Sequence, residues 1–169
     1  MTAFQRTDAT GRATGRMKRP KWQKLEGPFI AVPTEMLLSP AHRELSRAAR
    51  QVLDRLMIEH SQHAGNENGG LICTHADFMR HGIDRHAIKP AIRELEALGF
   101  VRVRQGGAGN GEFRQPNRFR LTFAWSKDGP ATNEWREIVS EENARALARS
   151  ARAAVDPPRA VERRARLAS

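Results

Sequence analysis

Apolar residues repeat at helical spacing in two stretches between residues 45 and 98 and alternate with polar residues further on. The first clear repeat predicts a helix from about Ser46 to Ser61. Its apolar positions are Leu45, Ala49, Val52, Leu53, Leu56 and Met57. After a turn rich in Asn and Gly, the apolar run Leu71-Ile72-Cys73 predicts a small strand.

Two further helices are predicted beyond this strand, joined by a tight turn. Thr74, with Asp77 three residues later, forms a variant capping box that opens a short helix. Gly82 ends that helix, and Asp84 is placed to cap the next one. Pro90 is expected to kink the first turn of this second helix or to delay its regular part, because proline cannot donate a backbone hydrogen bond. One face of the second helix carries Ile88, Ala91, Ile92, Leu95 and Leu98.

The apolar period then changes from about 3.6 to about 2 residues, which indicates β-structure. Val101 and Val103 alternate with arginines, and so do the apolar residues of the segment 118–123. The Gly-rich loop 106–111 lies between the two runs. We therefore predict a β-hairpin with one apolar face and one arginine face. The arginines are Arg102, Arg104, Arg118 and Arg120, with Arg114 nearer the tip.

The remaining segments complete the predicted organisation of the chain. Five segments are expected: a disordered basic arm (1–28), a folded domain (29–124), a linker (125–132), a C-terminal helix (133–156) and a disordered basic tail (157–169). Asn133 is placed to cap the C-terminal helix. Its apolar stripe is Trp135, Ile138, Val139 and Leu147. This stripe predicts either a homodimer through the C-terminal helix or packing against its own chain, and both remain open.

The charge of the chain points to a polyanionic partner. The 169 residues carry a net charge of +10, and residues 80–124 alone hold nine basic and four acidic side chains. Such a balance is most often found in proteins that bind nucleic acid. Cys73 is the only cysteine, so an intramolecular disulfide is impossible and a cytoplasmic location is expected. No apolar run is long enough for a transmembrane helix, and no secretory signal is expected.

The order of these elements, together with several local sequences, resembles a known fold. The features are the Gly82-Ile83 turn, the run Arg-Glu-Leu-Glu-Ala-Leu-Gly-Phe at 93–100 and the basic hairpin ending in Leu121-Thr122. Over about residues 40–124 the chain resembles the winged helix-turn-helix of MarR-like regulators and of phage and plasmid replication proteins. The resemblance implies an α+β fold, in which a three-helix core and a β-hairpin wing carry an added C-terminal helix.

The resemblance also implies a function and a setting. We expect a sequence-specific double-stranded DNA-binding protein that acts as a transcriptional regulator. The alternative is a phage- or plasmid-type replication or maintenance factor that binds origin DNA or a replication partner protein. Either protein would be bacterial, or encoded by a phage or plasmid, and associated with the nucleoid. No enzymatic activity and no cofactor are expected.

The candidate DNA-binding residues lie on the second helix of the turn and on the hairpin. Arg85, Lys89 and Arg93 are four residues apart and form a stripe away from the apolar face, with His86 near the helix start. Such side chains can bond guanine edges in a major groove. The hairpin arginines are expected to follow phosphates or to enter a minor groove.

The sequence also raises three alternatives to DNA binding. His60, His63, Cys73 and His75 include zinc-ligand types, but their spacing matches no standard finger, so no metal is expected. A phosphate-binding enzyme is not expected either, because the Gly-rich loop lacks the Gly-Lys-Ser/Thr ending of a nucleotide-binding loop. A basic face that binds an acidic protein partner remains open.

Overall fold

The computed structural model describes residues 27–106 and 115–155. In chain order the elements are α1 (Thr34–Leu38), α2 (Pro40–Arg43), α3 (Arg47–Gln62), β1 (Leu71–Ile72), α4 (His75–Arg80), α5 (Arg85–Ala97), β2 (Val101–Arg104), β3 (Arg118–Leu121), a 3₁₀ helix (Glu134–Glu137) and α6 (Glu141–Ala153). The predicted tail, nearly all of the predicted arm, and Arg114 lie outside these residues. No helix within them is long and apolar enough to cross a bilayer.

Side-chain caps start the three central helices where the sequence predicts them. The hydroxyl of Ser46 accepts a hydrogen bond from the backbone N–H of Ala49 at the start of α3. At α4 both bonds of the Thr74–Asp77 capping box are present, and the bonds from Thr74 lower the pKa of Asp77. Asp84 caps α5, which continues through Pro90 as one helix. These helix starts are confirmed. They could be predicted from the sequence because each cap needs only a few neighbouring residues.

The three strands form an antiparallel sheet in the order β1-β3-β2. Val101 lies opposite Leu121, and Val103 opposite Phe119. These residues are on the face of the sheet that packs on the helices, where the rings of Phe78 and Phe119 are nearly perpendicular to each other. The described residues thus form an α+β fold with six α-helices and a small sheet, and its arrangement is compatible with a winged helix.

The prediction of one C-terminal helix over residues 133–156 is wrong. Asn133 has a φ of +51° and makes no capping bond, and only the short 3₁₀ helix follows it. The chain is then non-helical as far as Ser140, whose hydroxyl accepts from the N–H of Asn143 and starts α6. Val139, predicted on the apolar stripe, is 82% exposed in this break. A local cap at Ser140 therefore determines where the helix begins.

Helix α6 packs on its own chain, as one of the two open expectations had it. Ala144 and Ala148 are fully buried, and Trp135 and Ile138 before them join the same core. The small side chains of Ala144 and Ala148 allow α6 to lie close to α5. This apolar face is therefore already covered within a single chain.

The segment predicted as a linker is held against the sheet by hydrogen bonds. The carbonyl oxygen of Thr122 accepts from the N–H groups of Thr132 and Asn133, at 2.8 and 3.0 Å. The side-chain amide of Asn68 donates to the carbonyls of Leu121 and two later residues and accepts from the N–H of Leu121. The segment that leads to α6 is thus fixed to the domain.

Candidate nucleic-acid interface

The first two turns of α5 present a basic surface. Arg85, His86 and Lys89 are exposed there, as the sequence predicts. On the opposite side of the helix Ile88 and Leu95 are fully buried. This apolar anchoring orients the helix, so the outward side chains of its first turns follow from the amphipathic pattern.

Arg93, the third member of the predicted stripe, does not project outward. Its side chain is partly buried, and its Nε donates a hydrogen bond to the carbonyl oxygen of Ala151 in α6, at 3.0 Å. The predicted outward position is therefore wrong for Arg93. The helical spacing is as expected, but α6 covers this part of α5.

Glu94 is one of the four acids counted among residues 80–124, and it does not lie on the surface. Its carboxylate is fully buried and accepts from the N–H and the hydroxyl of Ser46, at 2.7 and 2.8 Å. The guanidinium of Arg152 donates to the same carboxylate at 2.8 Å. Because both partners are distant in sequence, local patterns gave no signal for this cluster.

The hairpin arginines face each other in pairs across the two strands. Arg102 lies directly opposite Arg120, and Arg104 opposite Arg118. Like charges in directly opposed positions of an antiparallel pair destabilise it. The sequence predicts one arginine face, and the register divides it into a root pair (Arg102 and Arg120) and a tip pair (Arg104 and Arg118).

The root pair is held by the segment that follows the sheet. The Nε of Arg102 lies 2.6 Å from a carboxylate oxygen of Glu134. The guanidinium of Arg120 donates to the carbonyl oxygen of Pro130 at 3.0 Å. Both arginines of the root pair therefore have partners within the chain, and the predicted role of this pair in binding DNA stays a prediction.

The tip pair has no such partners among the residues that the structure describes. Arg104 and Arg118 are both exposed, and no hydrogen bond or ion pair in the described part of the chain uses their side chains. Two opposed guanidinium groups that are exposed and make no hydrogen bond or ion pair are able to accept an anion. Their planar N–H groups match the geometry of a phosphate.

Comparison of the chain with protein-family models, curated proteins and solved structures gave no match. What this surface can bind is therefore argued from its own residues.

The helix α5 and the hairpin are joined by a hydrogen bond. A carboxylate oxygen of Glu96 in the last turn of α5 accepts from the N–H of Val103 in β2, at 3.2 Å. This bond joins the helix to the hairpin, so their exposed cations belong to one body.

The described part of the chain holds no cluster of side chains that fits the zinc alternative. No group of three His, Cys, Asp or Glu side chains there is arranged to hold a metal ion. Burial raises the pKa of the Cys73 thiol to about 11. A thiol must lose its proton to bind zinc, so this buried residue serves as an apolar core side chain.

The buried ring of His60 predicts a pH dependence of stability. Its Nδ1 has no hydrogen-bond partner among the described residues, and burial lowers its pKa from the usual 6.5. As the pH falls below 6.5, His60 is therefore protonated in the unfolded chain before it is protonated in the folded protein. The stability that the neutral ring allows is fully present above pH 6.5, and the free energy of unfolding decreases as the pH falls towards the folded-state pKa. We expect His60→Leu to reduce the fall in unfolding free energy between about pH 7.5 and 5.5, measured by urea denaturation. Part of the decrease in unfolding free energy should remain in this variant, because burial also lowers the pKa of His42. An unchanged slope in His60→Leu would contradict this assignment.

Proposed function

We propose that this protein is a sequence-specific double-stranded DNA-binding protein that acts as a transcriptional regulator. In this proposal α4 and α5 form the helix-turn-helix, and β2 and β3 form the wing. The first two turns of α5 enter the major groove, and the tip pair contacts the phosphate backbone. The observation that carries the proposal is the tip pair, Arg104 opposite Arg118, which is exposed and makes no hydrogen bond or ion pair among the described residues.

A bound phosphate would pair with both guanidinium groups of the tip pair. In the free protein the opposed arginines repel each other, which is unfavourable for the fold. A residue pair that is unfavourable for the fold is better explained by a ligand than by solubility, for which single dispersed charges suffice. The duplex offers one phosphate for about every 1.7 Å of its axis, so it can meet the tip pair and α5 together.

The tip pair should trade stability for binding. We expect Arg118→Glu to leave folding intact or slightly stabilised, because the new carboxylate lies opposite Arg104. The same change should weaken DNA binding about tenfold or more and flatten the dependence of log K on log salt by one to two units. The measurements are fluorescence anisotropy at several salt concentrations and urea denaturation. The matched control is Lys127→Glu, an exposed cation on the turn beyond β3, which should leave DNA affinity within about twofold.

A DNA duplex selected from random sequences provides the probe for this test. If the protein shows no measurable binding to any duplex at 50 mM salt, the DNA proposal fails and the basic face is assigned to an acidic protein partner. A palindromic sequence bound by a dimer supports the regulator. Direct repeats bound by a monomer would overturn the regulator in favour of the replication factor.

A further inference from the structure

The last turn of α6 is attached to α5 at two adjacent residues. Arg93 donates to the carbonyl oxygen of Ala151, and the buried carboxylate of Glu94 accepts from Arg152. The same carboxylate also binds Ser46 at the start of α3. Three helices therefore meet at Glu94.

The bond from Arg93 has a clear local reason. The last carbonyl groups of a helix have no partner within it, and basic side chains can satisfy them. Ala151 lies in the last turn of α6, which ends at Ala153, so its carbonyl is one of these groups. Arg93 thus acts as a C-terminal cap for another helix, which fixes its guanidinium against α6.

We propose that α6 sets the reading position of α5 by withdrawing Arg93 from the DNA-facing stripe and by fixing Glu94. This inference rests on the proposed function, because it concerns how the same helix reads DNA. The reading positions are then Arg85, His86 and Lys89, which are exposed on the first two turns. Arg93, Glu94 and Arg152 are positioning residues that do not touch the DNA.

Glu94 prevents α5 from turning about its own axis. A rotation that brings Arg93 outward would also move the Glu94 carboxylate away from Ser46 and Arg152. It would leave a buried charge without its partners, which proteins rarely tolerate. The outward stripe of α5 is therefore limited by contacts with α3 and α6.

The first test compares Arg93 with Arg85 in the full chain. We expect Arg93→Ala to leave the salt slope unchanged, because this side chain is held against α6 and not against DNA. The ratio of affinities for the selected and the random duplex should fall by no more than about threefold, because one of the two contacts that hold α5 to α6 is lost. Arg85→Ala should lower this ratio about tenfold or flatten the slope by about one unit, as expected for a residue that contacts DNA. A flatter salt slope in Arg93→Ala would show that Arg93 contacts DNA and would overturn the proposal.

The second test concerns Arg152. Arg152→Ala should lower the ratio of affinities about threefold to tenfold without changing the salt slope, since no phosphate contact is lost but α5 is held less firmly. Arg152→Lys should restore part of the ratio, because it keeps a cation near Glu94. All measurements are made well below the midpoint of thermal unfolding of each variant.

The outcomes separate this inference from the proposed function. If Arg152→Ala lowers only the thermal midpoint and leaves the ratio unchanged, α6 is merely structural and the inference is overturned. If it flattens the salt slope, Arg152 contacts DNA and the inference is also overturned. If the unaltered protein binds no duplex, the proposed function itself has failed, and the inference fails with it.

Discussion

Replacement of Gly99 by alanine is expected to destabilise the protein by about 2–5 kcal/mol. This figure is the sum of two costs, that of a left-handed backbone conformation in a residue with a Cβ and that of overpacking. Gly99 has a φ of +74°, and a Cβ there would lie 2.7 Å from the backbone of both Glu134 and Trp135. Backbone atoms cannot move aside as a flexible side chain can. The segment that carries the buried ring of Trp135 would have to move away from the end of α5.

Gly82 is the matched control for this substitution. It also follows a helix and has a φ of +88°, but a Cβ there would meet nothing within 4 Å. Gly82→Ala should therefore cost only the backbone term, about 1–2 kcal/mol. Urea denaturation of both variants gives the comparison. Equal losses in the two variants would show that the close approach at Gly99 contributes nothing.

Glu94→Ala is expected to reduce the free energy of unfolding by about 3–5 kcal/mol, because it removes a fully buried side chain and the acceptor of several hydrogen bonds. The substitution leaves the guanidinium of Arg152 and the N–H of Ser46 without their acceptor. It also opens a cavity where three helices meet. Chemical denaturation monitored by circular dichroism measures the loss.

Two further variants make this prediction specific. Glu94→Gln keeps the shape and an acceptor oxygen, so its loss should be smaller, and it serves if Glu94→Ala does not fold. Glu137→Ala, an exposed acid on the 3₁₀ helix, should change stability by no more than about 0.5 kcal/mol. Equal small effects of Glu94→Gln and Glu137→Ala would contradict the role of the buried carboxylate.

Short-range patterns in the sequence determined the central elements of the fold. Capping residues such as Thr74 and Asp84 act within one turn, so the starts of these helices can be predicted from a few neighbouring residues. Alternation of Val101 and Val103 with arginines likewise assigns one face of the hairpin to the core. The exposure of Arg85 and Lys89 follows from the amphipathic pattern of α5 alone.

Only the tertiary structure decided what the other charged residues do. Arg93 shares the spacing of Arg85, and Arg102 shares that of Arg104, yet the first of each pair is engaged within the chain. Glu94 looks like a surface acid and is buried. The reason is physical: the segment 130–153 returns to cover α5 and the root of the hairpin, and those contacts join residues up to 58 positions apart. Periodicity describes one element at a time, whereas the partner that covers an exposed face is set by packing between distant elements.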